Sequence, residues 1–378
     1  MLGNSIYGVA LPFQILALGG SPLQLGTGYA IYAGVQLVLI LFGGALVDRL
    51  PRRRVILASD LASGIVVGGV ALLGVAGQLR IEHLYVASAF FGAASSFYIP
   101  AMSAIVPELV PKEILVAGNS LRGLSRQAAK VSGPFVGGLI VVAAGPPVAF
   151  AIDAATFLVS FAVFALAGTP QRTPAIRQPL LAAVREGVRF VFSVPWIWIS
   201  IVGFGFVNAF YLGAFTVGLP LLVLDVLKGG AATFGLIGSA AGIGEIIGSL
   251  AVGNLRPRRL GPTMYACYAL TALALIGYGA TSSLPVILIA AAAFAAGIVA
   301  ANTLWDSALQ RHVPRELIGR VTSVDYFGSF IVGPVAPLLA AAVSSQLGPG
   351  AIFVLGGAIA FVFTVSVLAL SRSVRTLE

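Results

Sequence analysis

The sequence GGALVDRLPRRR, from Gly43 to Arg54, places five charged residues within seven positions. The chain on either side is almost uncharged: Leu23–Val47 carries no charged side chain, and Val55–Leu79 carries only Asp60. A helix needs about 20 apolar residues to cross a bilayer core of about 30 Å, and each flank is long enough. The pattern predicts two membrane-spanning helices joined by a short basic loop.

The composition of the whole chain indicates that lipid is its main solvent. Of the 378 residues, 58% are hydrophobic and only 9% are charged, whereas a soluble domain has about 25% charged residues. The 46 glycines fit closely packed transmembrane helices. The single cysteine, Cys267, excludes an internal disulfide framework. We therefore expect an all-α polytopic membrane protein.

Reading the apolar runs along the chain predicts twelve transmembrane helices. They are Leu2–Leu18, Leu23–Val47, Val55–Ala76, His83–Ile105, Val116–Ala144, Val148–Gly168, Ile197–Leu224, Thr233–Gly253, Pro262–Ala280, Leu284–Thr303, Ile318–Ser345 and Gly350–Leu370. With both termini cytoplasmic, all of the 22 Lys and Arg residues except Arg80 and Lys228 fall on the inner side. Cytoplasmic loops are enriched in Lys and Arg, so this orientation is predicted.

The predicted helices form two related halves. Pro111 in VPKE and Pro314 in VPRE are each followed, 23 residues later, by a proline within a predicted span, Pro134 and Pro337. Internal repeats of this kind are typical of transporters. We expect a six-helix bundle over 1–168, a cytoplasmic linker over 169–195 and a second six-helix bundle over 196–378.

The predicted linker contains the segment LLAAVREGVRFVFS, residues 180–193, with apolar residues at helical spacing and charged residues between them. This pattern predicts an amphipathic helix at the membrane surface. A solvated linker without such a helix is the alternative.

The charged loop resembles the loop 2–3 signature of the major facilitator superfamily, with Pro51 in place of the usual glycine. The resemblance implies two bundles that alternate between inward and outward access. It also implies an inner gate near Gly319 and Arg320, in which a carboxylate braces a helix N-terminus. The gating residues carried over are Gly44, Asp48, Arg49, Arg52 and Arg53. Retention of positive charge on the inner side is the alternative role of the arginines.

A second motif lies in the fifth predicted span. The run Gly133-Pro134-Phe135-Val136-Gly137-Gly138 is similar to the antiporter motif of the same superfamily, with Ala129 in place of its first glycine. The resemblance implies an exporter. An ordinary kink for helix packing is the alternative, because proline removes a backbone hydrogen bond.

Charged residues within the spans are candidates for proton coupling, because such residues are costly in lipid. Glu245, in GIGEIIGSL, is read as the only acid near the middle of a span. We expect it to approach Lys130 or Arg126 and form a pH-sensitive latch between the halves, with a purely structural ion pair as the alternative. Asp325 is a further candidate for coupling, with a solvated or helix-end acid as the alternative. Asp153 is read as a solvated or helix-end acid.

Five further residues are candidates for a substrate cavity, with interhelical hydrogen bonding or packing as the alternative for each. They are Gln14, Gln36, Asn208, Tyr211 and Trp305. Since the chain has few such residues, a bulky amphipathic substrate is favoured over a small polar one.

The start of the chain, NSIYGVALPFQILALGGSPLQLG, resembles the proton-driven drug and macrolide exporter branch, which also includes siderophore exporters. Because Met1 lies within an apolar run, we expect either a start further upstream or a short first helix. A proton-coupled exporter of amphipathic drugs or natural products is predicted, with a siderophore exporter or a metabolite importer as alternatives.

The sequence has no P-loop, nucleophile-elbow serine or HExxH motif, so an enzyme is not expected. We expect the proton gradient to supply the energy, with no cofactor and no metal. The expected partners are the lipid bilayer, protons and a small amphipathic substrate. We expect a monomer that does not bind nucleic acid.

Overall fold

The computed structural model describes residues 2–47, 50–109, 115–166, 180–254, 257–314 and 316–377. These residues form helices and short connections, and no β-strand occurs among them. The all-α class predicted from the apolar runs is thus confirmed.

Fourteen helices are assigned within the described ranges. They are α1 Leu2–Ala17, α2 Pro22–Val47, α3 Arg52–Val75, α4 Ile81–Leu109, α5 Leu115–Leu166, α6 Leu180–Ser193, α7 Pro195–Val226, α8 Ala231–Asn254, α9 Leu260–Gly279, α10 Leu284–His312, α11 Ile318–Phe330, α12 Ala336–Leu347, α13 Pro349–Leu370 and α14 Arg372–Arg375.

Nine helices of the described part are long and apolar enough to cross a membrane, namely α2–α5, α7–α10 and α13. The two shorter helices α1 and α12 are also apolar. The apolar part of α5 alone contains 46 residues. At about 1.5 Å per residue, that length is more than twice a bilayer core of about 30 Å. One straight crossing by α5 is therefore excluded.

The helix α5 is broken at Gly145, which has φ of 80° and ψ of 164°. Pro146 and Pro147 follow and supply no backbone N–H for a helical hydrogen bond. The helix α1 contacts both halves of α5, because Ser5 Oγ donates to the Ala129 carbonyl over 3.4 Å while Gly3 lies against Asp153. The two halves therefore fold back on each other, as the separate fifth and sixth predicted spans require.

The φ and ψ angles of Gly145 lie in a region of backbone conformation that is almost restricted to glycine. Any other residue in this conformation is strained by about 1–3 kcal/mol. Gly145→Ala is therefore expected to lower the free energy of unfolding by about that amount, measured by thermal unfolding of the purified protein. Gly69→Ala is the matched control, since its methyl group would meet no atom within 4 Å. Equal unfolding temperatures for the two variants would contradict the assigned break.

The eleventh predicted span differs from the observed structure. The sequence predicts a continuous helix over 318–345, but α11 ends at Phe330 and α12 begins at Ala336, with turns over 331–335 between them. Pro334 and Pro337 account for the break, because neither donates a backbone hydrogen bond and each clashes with the preceding helical turn. The seventh span is also irregular, with π-helical turns at Ala214–Gly218 and Leu222–Val226.

The chain divides into two compact units. Unit 1 comprises Met1–Arg177 with Gly229–Ser239, and unit 2 comprises Gln178–Lys228 with Ala240–Glu378. The first turns of α8 thus belong to unit 1, although they follow the predicted linker in sequence. The remainder of α8 belongs to unit 2.

The helix α6, which covers the amphipathic segment of the predicted linker, packs within unit 2. Val191 is only 2% exposed and lies in the same core as Trp196 and Leu260. Glu186 forms an ion pair with Arg320 of α11, and a Cβ on Gly187 would come within 3.0 Å of Arg320. The apolar face of α6 is therefore covered by protein in part, rather than only by lipid.

Candidate functional site

A cavity of about 480 Å³ lies within unit 2, between α7, α9, α10, α11 and α13. Its size lies within the range of about 300–1,000 Å³ that is usual for small-molecule sites. Its aromatic lining residues are Phe204, Tyr211, Phe215, Tyr265, Tyr268, Phe294, Trp305, Tyr326, Phe330 and Phe363. Its polar lining residues are Asn208, Asn302, Asp306, Asp325, Ser329 and Thr364.

The aromatic side chains of the cavity contact one another in several directions. The Phe294 ring lies edge-on to Tyr211 with a centroid distance of 5.1 Å, and it lies 4.7 Å from the Phe215 ring. Tyr326 and Phe330 form a tilted pair with centroids 4.9 Å apart, and both are exposed. A ligand in this cavity would therefore meet ring faces as well as ring edges.

Two carboxylates line the cavity in different environments. Asp325 Oδ2 accepts a hydrogen bond of 2.9 Å from Trp305 Nε1, and its Oδ1 accepts one of 3.0 Å from Ser329 Oγ. Asp306 on α10 is exposed instead. The Asp325 carboxylate is thus held in a fixed position, whereas the Asp306 carboxylate is open to the cavity.

The neutral polar groups of the cavity are partly used by the protein. Asn208 Nδ2 donates to the Ser329 carbonyl over 3.1 Å, and Tyr268 Oη donates to Asn302 Oδ1 over 3.0 Å. The Tyr211 hydroxyl is buried and has no hydrogen-bond partner among the described residues. A buried polar group without a partner is uncommon, so this hydroxyl is available to a ligand.

The structure brings together three of the predicted cavity residues, Asn208, Tyr211 and Trp305, all in unit 2. Asp325 joins them there, since it bonds to Trp305 within the same unit. Its surroundings are those of a cavity residue, and its part in proton coupling stays a prediction. Gln14 and Gln36 lie in unit 1, where Gln36 Nε2 donates to Tyr32 Oη over 3.3 Å.

Asp306 is absent from the predicted cavity residues, although its neighbour Trp305 is among them, and both lie beyond the predicted end of the tenth span at Thr303. The structure continues α10 to His312. A sequence signal was present, since Trp305, Ala308 and Leu309 occur at helical spacing and are buried. This spacing extends the helix by two turns, so Asp306 lies within α10 beside the buried residues.

Asp153 and Asp60 are acids of unit 1 whose burial sequence reasoning did not predict. Asp153 is predicted to be solvated or at a helix end, but it is 0% exposed and lies eight residues beyond Gly145 within α5. Asp60 is 1% exposed, and its Oδ2 accepts a hydrogen bond of 2.6 Å from Ser160 Oγ. Glu245 is therefore not the only acid within a span.

The gating motif is described only in part. Asp48 and Arg49 lie outside the described residues, and Gly44 lies within α2. Arg53 donates from Nε to the Phe164 carbonyl over 2.7 Å, near the C-terminal end of α5 where carbonyls lack helical partners. Arg53 and Arg52 both belong to α3.

The expected partners of the gate are found in unit 2. Gly319 has open space around it, and Arg320 pairs with Glu186 of α6. The brace between Asp48 and this region stays a prediction.

The predicted antiporter motif of α5 packs against the first turns of α8 within unit 1. Ser239 Oγ donates to the Val131 carbonyl over 2.6 Å. A Cβ on Gly138 would meet the Ala231 carbonyl, and a Cβ on Gly235 would meet the Pro134 carbonyl. Gly133 and Gly137 face α1 in the same way, through Ser5 and Ile6. The small residues of the motif thus allow three helices to approach closely.

The predicted latch residues lie on these two helices. Arg126 and Lys130 are exposed residues of α5 in unit 1, and Glu245 is a half-buried residue of α8 in unit 2. The approach of Glu245 to either basic residue stays a prediction. No group of three or more metal-ligating side chains occurs in the described part of the chain.

Comparison with known proteins supports the functional class. The sequence profile of the Major Facilitator Superfamily matches residues 1–337. "Enterobactin exporter EntS" from Escherichia coli O1:K1 / APEC is 25% identical over 370 residues, which cover 93% of this chain and 86% of that protein. A protein of the same name from Shigella boydii serotype 18 is similar to the same extent.

Two solved structures are similar in fold. The nucleoside transporter NupG has a TM-score of 0.74 at 12% identity, with 98% of each chain covered. A POT family transporter in complex with 5-aminolevulinic acid has a TM-score of 0.73 at 15% identity, with 99% of this chain and 94% of that chain covered. At these identities the likeness shows the fold alone.

The long apolar helices, the profile match over most of the chain and the names of the relatives agree with one another. They indicate a transporter rather than an enzyme, embedded in the inner membrane by many helices. The chain belongs to the Major Facilitator Superfamily.

Proposed function

We propose that the protein exports small amphipathic compounds by alternating access, driven by the proton gradient. The observation that carries this proposal is the cavity of unit 2, which combines aromatic walls with two carboxylates. The direction of transport is supported by relatives that are named as exporters. The protein acts as a monomer within the bilayer, without a cofactor and without nucleic acid.

The proposed topology has twelve spans with both termini in the cytoplasm. Nine apolar helices of the described part are long enough to cross, and the break at Gly145 divides one of them into two crossings. The helix α1 supplies another crossing, and α11 with α12 together supply the last. The distribution of Lys and Arg supports the orientation.

In the proposed cycle, the charged loop after α2 forms the inner gate through Asp48, Arg49 and Arg52. Proton coupling involves Glu245 with Lys130 or Arg126. A carboxylate in a span can change charge with its surroundings, so protonation of Glu245 would weaken its attraction to a basic residue and release the latch.

A dye-efflux experiment tests this function. Drug-sensitive bacteria expressing the native chain are expected to accumulate less of a fluorescent amphipathic dye than cells with empty vector, and a protonophore is expected to abolish the difference. Glu245→Gln is expected to behave like the empty vector, because the neutral side chain cannot exchange a proton. Glu82→Gln, at an exposed glutamate in the first turn of α4, is the matched control and is expected to export like the native chain.

Equal dye content in all strains, despite confirmed membrane expression, would contradict broad export. Export by Glu245→Gln at the native rate would contradict only the coupling role of Glu245. The two outcomes separate the function from its proposed mechanism.

A siderophore exporter is the second candidate, favoured by the relatives named as enterobactin exporters. The two candidates are distinguished by expressing the same variants in cells that contain enterobactin and measuring its release into the medium. Release of enterobactin without dye efflux would favour the siderophore exporter.

A further inference from the structure

We propose that the cavity of unit 2 binds an aromatic organic cation and that Asp306 supplies the carboxylate that pairs with its positive charge. The inference rests on the proposed function, because it assigns the transported substrate to this cavity. Beyond the proposed function, the inference specifies that the substrate is positively charged and aromatic, and it names Asp306 as the residue that selects for the positive charge.

The charge of the described lining points to a cation. Asp306 and Asp325 both line the cavity, whereas none of its described lining residues is Lys, Arg or His. An anionic ligand would therefore meet two carboxylates with no basic residue to offset them. A cation would be attracted, and the attraction is strengthened where the surroundings are apolar.

The two carboxylates have different roles in this arrangement. Both oxygens of Asp325 already accept hydrogen bonds, from Trp305 and Ser329. Asp325 thus fixes the Trp305 ring and adds negative charge from a set position. Asp306 is exposed in the cavity, so a bound cation can reach its oxygen atoms directly.

The remaining lining fits an aromatic body. Aromatic rings attract cations through their faces and stack with other flat rings, and the exposed Tyr326 and Phe330 rings offer such faces. The buried Tyr211 hydroxyl, which has no hydrogen-bond partner among the described residues, adds a polar group for orientation. At about 480 Å³, the cavity has room for a molecule of several rings.

A metal ion is a poor fit for the same site. Hard cations such as Ca²⁺ take six to eight oxygen ligands, and Mg²⁺ takes six. Asp325 is already occupied by two donors, and much of the described lining is aromatic. A large, weakly hydrated organic cation matches these walls better.

The test measures binding of two probes to the purified protein in lipid nanodiscs, by fluorescence polarisation. Tetramethylrhodamine methyl ester is a monocation with flat fused rings, and tetramethylrhodamine carries the same cationic rings together with a free carboxylate, so it is a zwitterion. The native protein is expected to bind the ester at least about tenfold more tightly than the acid, equivalent to about 1.4 kcal/mol. Asp306→Asn is expected to weaken binding of the ester and to remove most of this preference, because the carboxylate that attracts the cationic rings and repels the acid's own carboxylate is lost.

Three controls accompany the test. Asp306→Glu is expected to retain the preference, because it keeps the charge. Asp225→Asn removes an exposed carboxylate of unit 2 that does not line the cavity, and it is expected to bind like the native protein. Excess Mg²⁺ or Ca²⁺ at constant ionic strength is expected to leave ester binding unchanged.

The inference is overturned if native protein binds both probes equally, if Asp306→Asn keeps the preference, or if the divalent ions displace the ester. Because binding is measured without transport, these outcomes are independent of the efflux experiment. Cation-selective binding without dye efflux would contradict the proposed export and support this inference. Dye efflux without a preference for the ester would support export and contradict this inference.

Discussion

Replacing Trp305 with alanine is expected to lower the free energy of unfolding by about 3–5 kcal/mol, the range for a large aromatic residue in a core. Trp305 is only 4% exposed. Its ring lies edge-on to Trp196 and to Phe204, with centroids 5.5 Å and 5.3 Å away. The change would leave a cavity in the packed core and remove the donor that holds Asp325. Binding of tetramethylrhodamine methyl ester is expected to be lost.

Two further variants separate packing from hydrogen bonding. Trp198→Ala removes the same side chain from a position that is 36% exposed, so a much smaller loss of stability is expected. Trp305→Phe keeps most of the ring packing and deletes the Nε1–H, and a loss of about 1–3 kcal/mol is expected for a buried acceptor left with one donor fewer. Thermal unfolding in detergent gives all three values. Similar destabilisation by Trp305→Ala and Trp198→Ala would show that this core is wrongly assigned.

Adding one methyl group at Gly138 is expected to reduce export at least about tenfold and to destabilise the protein by about 1–3 kcal/mol, the usual cost of overpacking. The Cβ would meet the backbone carbonyl of Ala231 on α8. A backbone carbonyl cannot rotate away as a flexible side chain can, so α5 and α8 would have to separate. Dye efflux and thermal unfolding of Gly138→Ala measure the two effects.

The same contact can be tested from the other helix. Gly235→Ala is expected to act like Gly138→Ala, because its methyl group would meet the Pro134 carbonyl. Gly123→Ala, also on α5, is the matched control, since nothing lies within 4 Å of its added methyl group. Native efflux by Gly138→Ala and Gly235→Ala together would show that close approach of these helices is not needed for export.

Much of the fold could be predicted because its signals are local. The apolar runs indicated the positions of most helices to within a few residues, although α10 continues nine residues beyond its predicted end. The charged loop at 48–54 indicated both the family and the expected topology. The breaks were harder to predict. Gly145 with Pro146 and Pro147 marks a turn plainly in sequence, whereas Pro334 and Pro337 could have kinked a continuous helix or ended it. Only the path of the backbone between α11 and α12 distinguishes these cases.

The candidate site could be predicted only in part, because it depends on contacts between distant segments. Polarity within a span or just beyond its predicted end identified Asn208, Tyr211 and Trp305 as candidates. It gave the same weight to Gln14 and Gln36, which lie in unit 1. Asp306 was missed because a single charge near a helix end reads as the start of a loop.

Consecutive residues alone establish the class of the protein, an all-helical transporter of the Major Facilitator Superfamily, since apolar length, loop charge and short motifs are local properties. Contacts between distant segments determine which of the polar residues share a cavity and which bond to the protein itself. Asp325 is held by Trp305, 20 residues earlier in the chain, and Asp306 is left exposed beside it. That difference arises from the hydrogen bond between Trp305 of α10 and Asp325 of α11, a contact between helices that no local pattern encodes.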